Sequence, residues 1–391
     1  MEKYKSELKM NLINFDVYQN LCTVFILLLT FFISFLTGVR YKKDIFIVTL
    51  IFLWHSLFAL FYFLFTLNNP ADAKSYYVRS IFNDAEFYPG TKFIIYFSSF
   101  FSKNFDLSYL NVSLIFNFFG VLGLVFLYLS LKKYLKGLSW YWSFLLFIPS
   151  MSFWSAGLGK DAISFFSVCL FLYAITVNHK KIYTLLPISF FFMFMVRPHI
   201  ASMMIVSFII YFILKSRVHI LIKMLCLPII FACVIFSFGF VQNYIGLDEA
   251  SLDSVSNYVD ERQGYNQGGG SSIDLKSMSY PMQIFTYVFR PLPFDAHSAL
   301  ALFTSIENTI LLILFLYILF KNKFSLYSFI EGKHAWLLIC AFLMCSMLAI
   351  TTANLGIATR QKWMFMPILL YLLVYTFYQF KESQRIGRLR K

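Results

Sequence analysis

The chain has 391 residues, 59% of them hydrophobic, 21% aromatic and only 13% charged, with a mean hydropathy of +0.70. That balance excludes a soluble globular chain and predicts a polytopic membrane protein. The formal charge of +14 would suggest nucleic acid, but the Lys and Arg residues sit beside the apolar runs, so no nucleic-acid partner is expected.

A run of roughly 20 apolar residues crosses a bilayer core. By that rule the spans fall at about 19–38, 45–66, 109–131, 139–154, 161–178, 182–196, 199–215, 220–240, 300–320, 334–352 and 363–380. The expectation is an all-α, polytopic integral membrane bundle of about 11 transmembrane helices, a single membrane domain over 1–391. The opening "MEKYKSELKMNLINF" lacks an immediate apolar h-region and a small-residue cleavage site, so the first span is expected to be retained. Cys22, Cys169, Cys226, Cys233, Cys340 and Cys345 lie within apolar segments without metal-ligand spacing and read as packing residues.

Alternating the spans places "VRYKKD", "LKKYLKG", "NHKK", "KSRVHILIK", "KNKFSLYSFIEGK" and "KESQRIGRLRK" on one side. They hold 19 of the 33 Lys and Arg residues against three acids, Asp44, Glu331 and Glu382. The positive-inside rule makes that side cytoplasmic. Lys3, Lys5 and Lys9 then fall on the unfavoured side, unless that stretch is an amphipathic surface helix or one span is miscounted. Two long extracytoplasmic loops follow, at about 67–108 and 241–299. In the second, Gly264 to Ser272 is Gly-rich and predicted mobile, and "YPMQIFTYVF" reads as an interfacial piece returning the chain to the membrane. A lid over a site and an ordinary solvent loop both fit.

On this topology four isolated cations meet the extracytoplasmic face, where positive-inside statistics disfavour them: Lys160 in "GLGKDA", Arg197 in "VRPHIA", Arg290 in "FRPLPFDAH" and Arg360 in "ATRQKW". Proline disfavours the helical conformation in the residue before it and suits the first helical position, so each Arg-Pro pair is expected to put arginine at the cap of a new helix. Free N–H groups and the positive dipole end beside a guanidinium form an anion site that suits phosphate. The competing reading of each cation is a snorkelling anchor or the partner of a neighbouring acid such as Asp161. "GLGKDA" starts a helix but lacks P-loop spacing. Candidate bases on that face are Asp72, Asp161, His199, Asp295, His297 and Glu307, with Asp295 also a natural N-cap for the helix that follows and Glu307 a buried functional or paired carboxylate. Tyr76, Tyr77, Tyr88, Tyr244, Tyr258, Tyr265, Tyr280 and Tyr287 are candidates to stack on sugar rings or to form an interfacial belt.

The ordered set "WSAGLGKDAISFF", "VRPHIA", "FRPLPFDAHSAL" with "SIENTI", and "ATRQKWMFMPILL", with the long loop between the second and third, resembles the Wzy-type polymerases of bacterial O-antigen, capsule and exopolysaccharide repeat units. The match covers most of the chain from about Trp154; the first half resembles the family in layout, including an early "DAKSYY". The resemblance implies a metal-independent, cofactor-free glycosyltransferase of the GT-C-like helical class in the bacterial cytoplasmic membrane. It would act at the outer face on undecaprenyl-diphosphate-linked oligosaccharides, with a chain-length regulator and a flippase as partners. It further implies that Lys160, Arg197, Arg290 and Arg360 neutralise the diphosphate and that His199, Asp72 or His297 orients or deprotonates the acceptor. An O-antigen ligase and a flippase or exporter of lipid-linked oligosaccharide are the rival readings.

Overall fold

A computed structural model describes residues 15–69, 71–82, 86–177, 182–215, 218–219, 221–225, 228, 260–261, 263–264, 271–296 and 298–389. These residues form helices and their connections, with one antiparallel bridge between Ser272 and Asn354. They belong to two compact units, one within Met1–Lys133 and Trp140–Pro198, the other within Tyr134–Ser139 and His199–Lys391.

The first unit opens with α1 (Val17–Gly38), whose cap Asp16 accepts the Gln19 N–H at 2.7 Å. In α2 (Lys42–Asn68), Asp44 turns back to the N–H groups of Arg40 and Tyr41 at 2.9 and 2.8 Å and so satisfies donors at the helix start. Both helices leave large apolar side chains exposed, among them Phe25, Leu28, Phe46 and Leu53, an arrangement suited to lipid. By contrast α5 (Tyr109–Leu135) is mostly buried.

The segment at about 67–108, read from the sequence as a long loop, contains two helices, α3 (Asp72–Phe82) and α4 (Thr91–Asn104). Ala73, Tyr76, Tyr77 and Ser80 are the buried face of α3, the spacing of an amphipathic helix, and α4 buries Phe93, Ile94 and Ile95. The apolar run expected to cross at about 139–154 is broken instead. A 3-10 turn at Trp140–Phe147 precedes α6 (Pro149–Ser155), because Pro149 takes the first helical position and holds Ile148 extended. Next come α7 (Lys160–Val177), buried on nearly every side, and α8 (Ile182–Val196). A hydroxyl pair joins them: Ser167 donates to the Ser189 carbonyl at 2.6 Å and Ser189 to the Ser167 carbonyl at 3.0 Å. Small hydroxyl residues at this contact allow close approach of the two helices.

In the second unit, α9 (Pro198–Lys215) packs on α13 (His334–Thr351) through Trp336, whose indole N–H donates to Ser207 at 3.1 Å and whose ring stacks on Tyr211 at 5.8 Å. The interfacial piece forms α10 (Tyr280–Phe289), followed by α11 (Ala299–Lys321) and the short α12 (Tyr327–Ile330). Asn354 caps α14 (Leu355–Gln361) by accepting from Gly356 and Ile357 at 2.9 and 3.2 Å. A 3-10 turn at Lys362–Met364 then leads into α15 (Met366–Leu389), and the chain bends by 63° at this break.

Among the described residues six helices are long and apolar enough to cross a membrane, or seven if the bent pair is one span. The span expected at about 220–240 lies mostly outside the described residues, as does most of Gly264 to Ser272, and α8 is a shorter apolar helix of 15 residues. Cys22 is partly buried and Cys169, Cys340 and Cys345 are buried as free thiols, matching their packing role; Cys226 and Cys233 lie outside the described residues.

Candidate functional site

In the first unit the α7–α8 hairpin brings its open end together. Four residues separate Val177 from Ile182, so the helices run antiparallel and the start of α7 meets the end of α8. Asp161 in the first turn of α7 accepts from Arg197 Nη2 at 2.7 Å, and both side chains are about one-tenth exposed. Arg197 ends α8 through its own N–H, which donates to the Met193 carbonyl at 2.7 Å, and Pro198 opens α9. The break expected at Arg-Pro is present here. The guanidinium, however, is held by an acid across the hairpin, the competing reading of this cation. Arg197 Nε is buried with no hydrogen-bond partner among the described residues.

Lys160, half-buried, begins α7 beside Asp161. The approach to it is tight at Gly157, where a Cβ would lie 2.0 Å from the Tyr62 ring, whereas a Cβ at Gly159 would meet open space. Close backbone approach therefore holds for Gly157 alone.

In the second unit Arg290 differs from expectation. It is the C-cap of α10, its N–H donating to the Thr286 carbonyl at 3.0 Å, and not the cap of a new helix. Its side chain forms a bidentate pair with Asp295, Nε at 2.9 Å and Nη2 at 2.6 Å, a charge-assisted bond that raises the arginine's pKa. Asp295 also accepts the Leu292 N–H at 2.8 Å. Being committed to that corner, Asp295 does not cap α11; Ser298 does, accepting the Ala301 N–H at 3.1 Å.

Arg360 lies in the last turn of α14, half-buried. Two residues on, at the break itself, Lys362 is fully buried and donates to Asn308 Oδ1, with the Glu307 carboxylate as its electrostatic neighbour. Asn308 Nδ2 in turn donates to the Pro291 carbonyl at 3.1 Å, so the Arg290 corner and the segment carrying Arg360 are linked.

The acceptor-side candidates lie on different elements. Asp72 is exposed at the first position of α3, His199 is half-buried in the first turn of α9, and His297 lies outside the described residues. Of the tyrosines, Tyr76, Tyr77 and Tyr287 are core residues; Tyr77 donates to the Leu107 carbonyl at 2.9 Å and burial raises its phenol pKa. Tyr88 and Tyr280 remain exposed, and Tyr244, Tyr258 and Tyr265 lie outside the described residues.

Two polar centres escaped the sequence reading. One is Lys362, quoted within "ATRQKW" but overshadowed by Arg360. The other is in the first unit: His55, fully buried in α2, contacts Asn117 at 2.6 Å through Nδ1 and Ser155 at 2.9 Å through Nε2. Gly120 makes room for that ring, since its Cβ would lie 2.3 Å from it. The available signal was a histidine and an asparagine inside two apolar runs, "LIFLWHSLF" and "SLIFNFFG". Among the described residues no group of three His, Cys, Asp or Glu side chains gathers to hold a metal ion.

The apolar helices and the charged side chains at their breaks define a helical membrane protein. No family model matches the chain, nor does any curated protein or solved structure.

Proposed function

We propose that the chain is an integral-membrane glycosyltransferase of about 11 spans and GT-C-like class. It would polymerise undecaprenyl-diphosphate-linked oligosaccharide repeat units into surface polysaccharide at the outer face of a bacterial cytoplasmic membrane. In that reaction the anomeric C–O bond to the diphosphate breaks with its electron pair leaving on the phosphate oxygen. A sugar hydroxyl of the acceptor forms the new C–O bond with inversion, and its proton passes to a base, with His199, Asp72 and His297 as candidates.

The observation that carries the reading is the pair of Arg-Pro corners, each with its guanidinium oriented by a carboxylate, Arg197 by Asp161 and Arg290 by Asp295. A carboxylate uses at most part of the five-donor fork, so an oriented arginine retains donors for phosphate oxygens as charge develops on the leaving group. Lys160 and Arg360 lie one residue from the first pair and two residues from the buried Lys362 respectively. Purified protein in nanodiscs, given a lipid-diphosphate repeat unit, is expected to build a ladder of longer glycans; no lengthening overturns the reading. Arg290→Ala is expected to lower the rate by about 10²-fold or more while the protein still inserts, and normal chain length in that variant removes the diphosphate role.

An exporter of lipid-linked oligosaccharide is the second reading. One observation favours it: a discontinuous helix, a device that transporters use at binding sites, here with the fully buried Lys362 at its break. In proteoliposomes an exporter would move the lipid-linked glycan between leaflets without lengthening it.

A further inference from the structure

We infer that Lys362 is a positioning residue: through the Asn308 amide it holds the Pro291 carbonyl, and with it the Arg290 corner, in a fixed relation to the helix break that carries Arg360. The inference rests on the diphosphate reading of the two arginines.

A fully buried ammonium is costly in an apolar bundle, where an unbranched apolar side chain of similar length would pack without desolvation. Its chemistry here is directional. An ammonium can only donate, so it fixes which end of the Asn308 amide faces it: Oδ1 must accept from Lys362, which leaves Nδ2 to donate. The only orientation compatible with the lysine is therefore the one that serves Pro291, whose carbonyl receives Nδ2 at 3.1 Å. An amide without the lysine can rotate and present its oxygen to that carbonyl.

The corner is tied internally as well. Arg290 N–H reaches Thr286 O at 3.0 Å, Asp295 N–H reaches Leu292 O at 2.8 Å, and the Asp295 carboxylate holds both the Leu292 N–H and the Arg290 fork. Asn308 supplies a link from this corner to α11 and, through Lys362, to the break. On the other side of the break the same turn is anchored by Gln361, whose Oε1 accepts from Thr352 at 3.3 Å and Tyr287 at 3.5 Å. Tyr287 lies three residues before Arg290 on α10, so the two arginine-bearing segments are joined from both flanks.

Asn308→Asp separates this role from simple neutralisation. An aspartate accepts from Lys362 and keeps the ammonium paired, but it has no N–H for Pro291. Full-length wild type, Asn308→Asp, Asn308→Leu and Lys362→Met are compared in nanodiscs by hydrogen–deuterium exchange over 288–296 and by binding of farnesyl diphosphate. Exchange at the Leu292 amide is expected to rise about tenfold in Asn308→Asp and Lys362→Met, the size of one lost buried hydrogen bond. Farnesyl diphosphate binding is expected to weaken by a similar factor, with Lys362→Met/Asn308→Leu no worse than either single variant.

Unchanged exchange in Asn308→Asp overturns the inference, and so does faster exchange with undiminished binding. Should Lys362→Met fail to fold, Asn308→Asp still decides. A wild type that binds no farnesyl diphosphate, yet whose corner loosens in Asn308→Asp, keeps the link and removes the diphosphate reading.

Discussion

The two Arg-Pro corners place one dipeptide in two kinds of surroundings. Arg197 takes its carboxylate from a residue 36 positions away on a different helix, and both groups are almost out of reach of solvent. Arg290 takes its carboxylate from five residues on, within the same turn, and keeps about one-fifth of its side chain exposed. The first pair is therefore a tertiary lock that exists only when α7 and α8 are packed. The second is a local clasp that shapes a turn. Identical sequence signals fixed where the helices break, and the distance to the nearest acid decided what each break does.

This contrast can be broken by removing the acids. Asp161→Ala leaves a buried arginine uncompensated and is expected to cost about 3–5 kcal/mol in a detergent unfolding titration, with Asp161→Ala/Arg197→Met recovering much of the loss. Gly157→Ala drives a methyl group into the Tyr62 ring just before the same lock, and about 2 kcal/mol is expected from the forced repacking. Asp295→Ala is expected to cost less than either, about 1.5 kcal/mol, because the freed guanidinium can turn toward its exposed side. A larger cost for Asp295→Ala than for Asp161→Ala reverses the comparison. Glu86→Gln sets the floor. Glu86 pairs with Lys92 at 2.5 Å, but both side chains are more than half exposed, so the unfolding midpoint is expected to stay where it is.

Much of the helical layout was legible from apolar length alone. The runs at about 19–38, 45–66, 109–131, 300–320 and 334–352 correspond to α1, α2, α5, α11 and α13, because each continues without proline over the length of a span and carries no charge except Glu307. "GLGKDA" gave the start of α7 and Arg-Pro gave the α8–α9 break for the local reasons stated. Length failed where proline interrupted an apolar run, as at Pro149, and where apolar residues were spread with helical spacing through a polar segment, as in α3. Neither feature changes average hydropathy.

The candidate site was legible as a set of cations and, Asp161 apart, illegible as a set of partners. Asp295 reads as a helix cap in sequence because it precedes "AHSAL", yet a bidentate arginine five residues earlier and the Leu292 N–H hold it away from the start of α11. Lys362 sits in "TRQKW", among polar neighbours that suggest a solvated patch. Its burial comes from the bend between α14 and α15, which hydropathy cannot show, and from Asn308, 54 residues away. His55 and Asn117 were the clearest missed signals, since polar side chains inside apolar spans need partners and here find each other.

The reciprocal serine bonds between α7 and α8 give that hairpin an indexed register. Sliding one helix by a single residue, about 1.5 Å along its axis, carries each hydroxyl away from the opposite carbonyl at the same moment, so the pair behaves as a ratchet with one notch. Asp161 and Arg197 close the open end of that ratchet, and the notch sets the one gauge at which they meet.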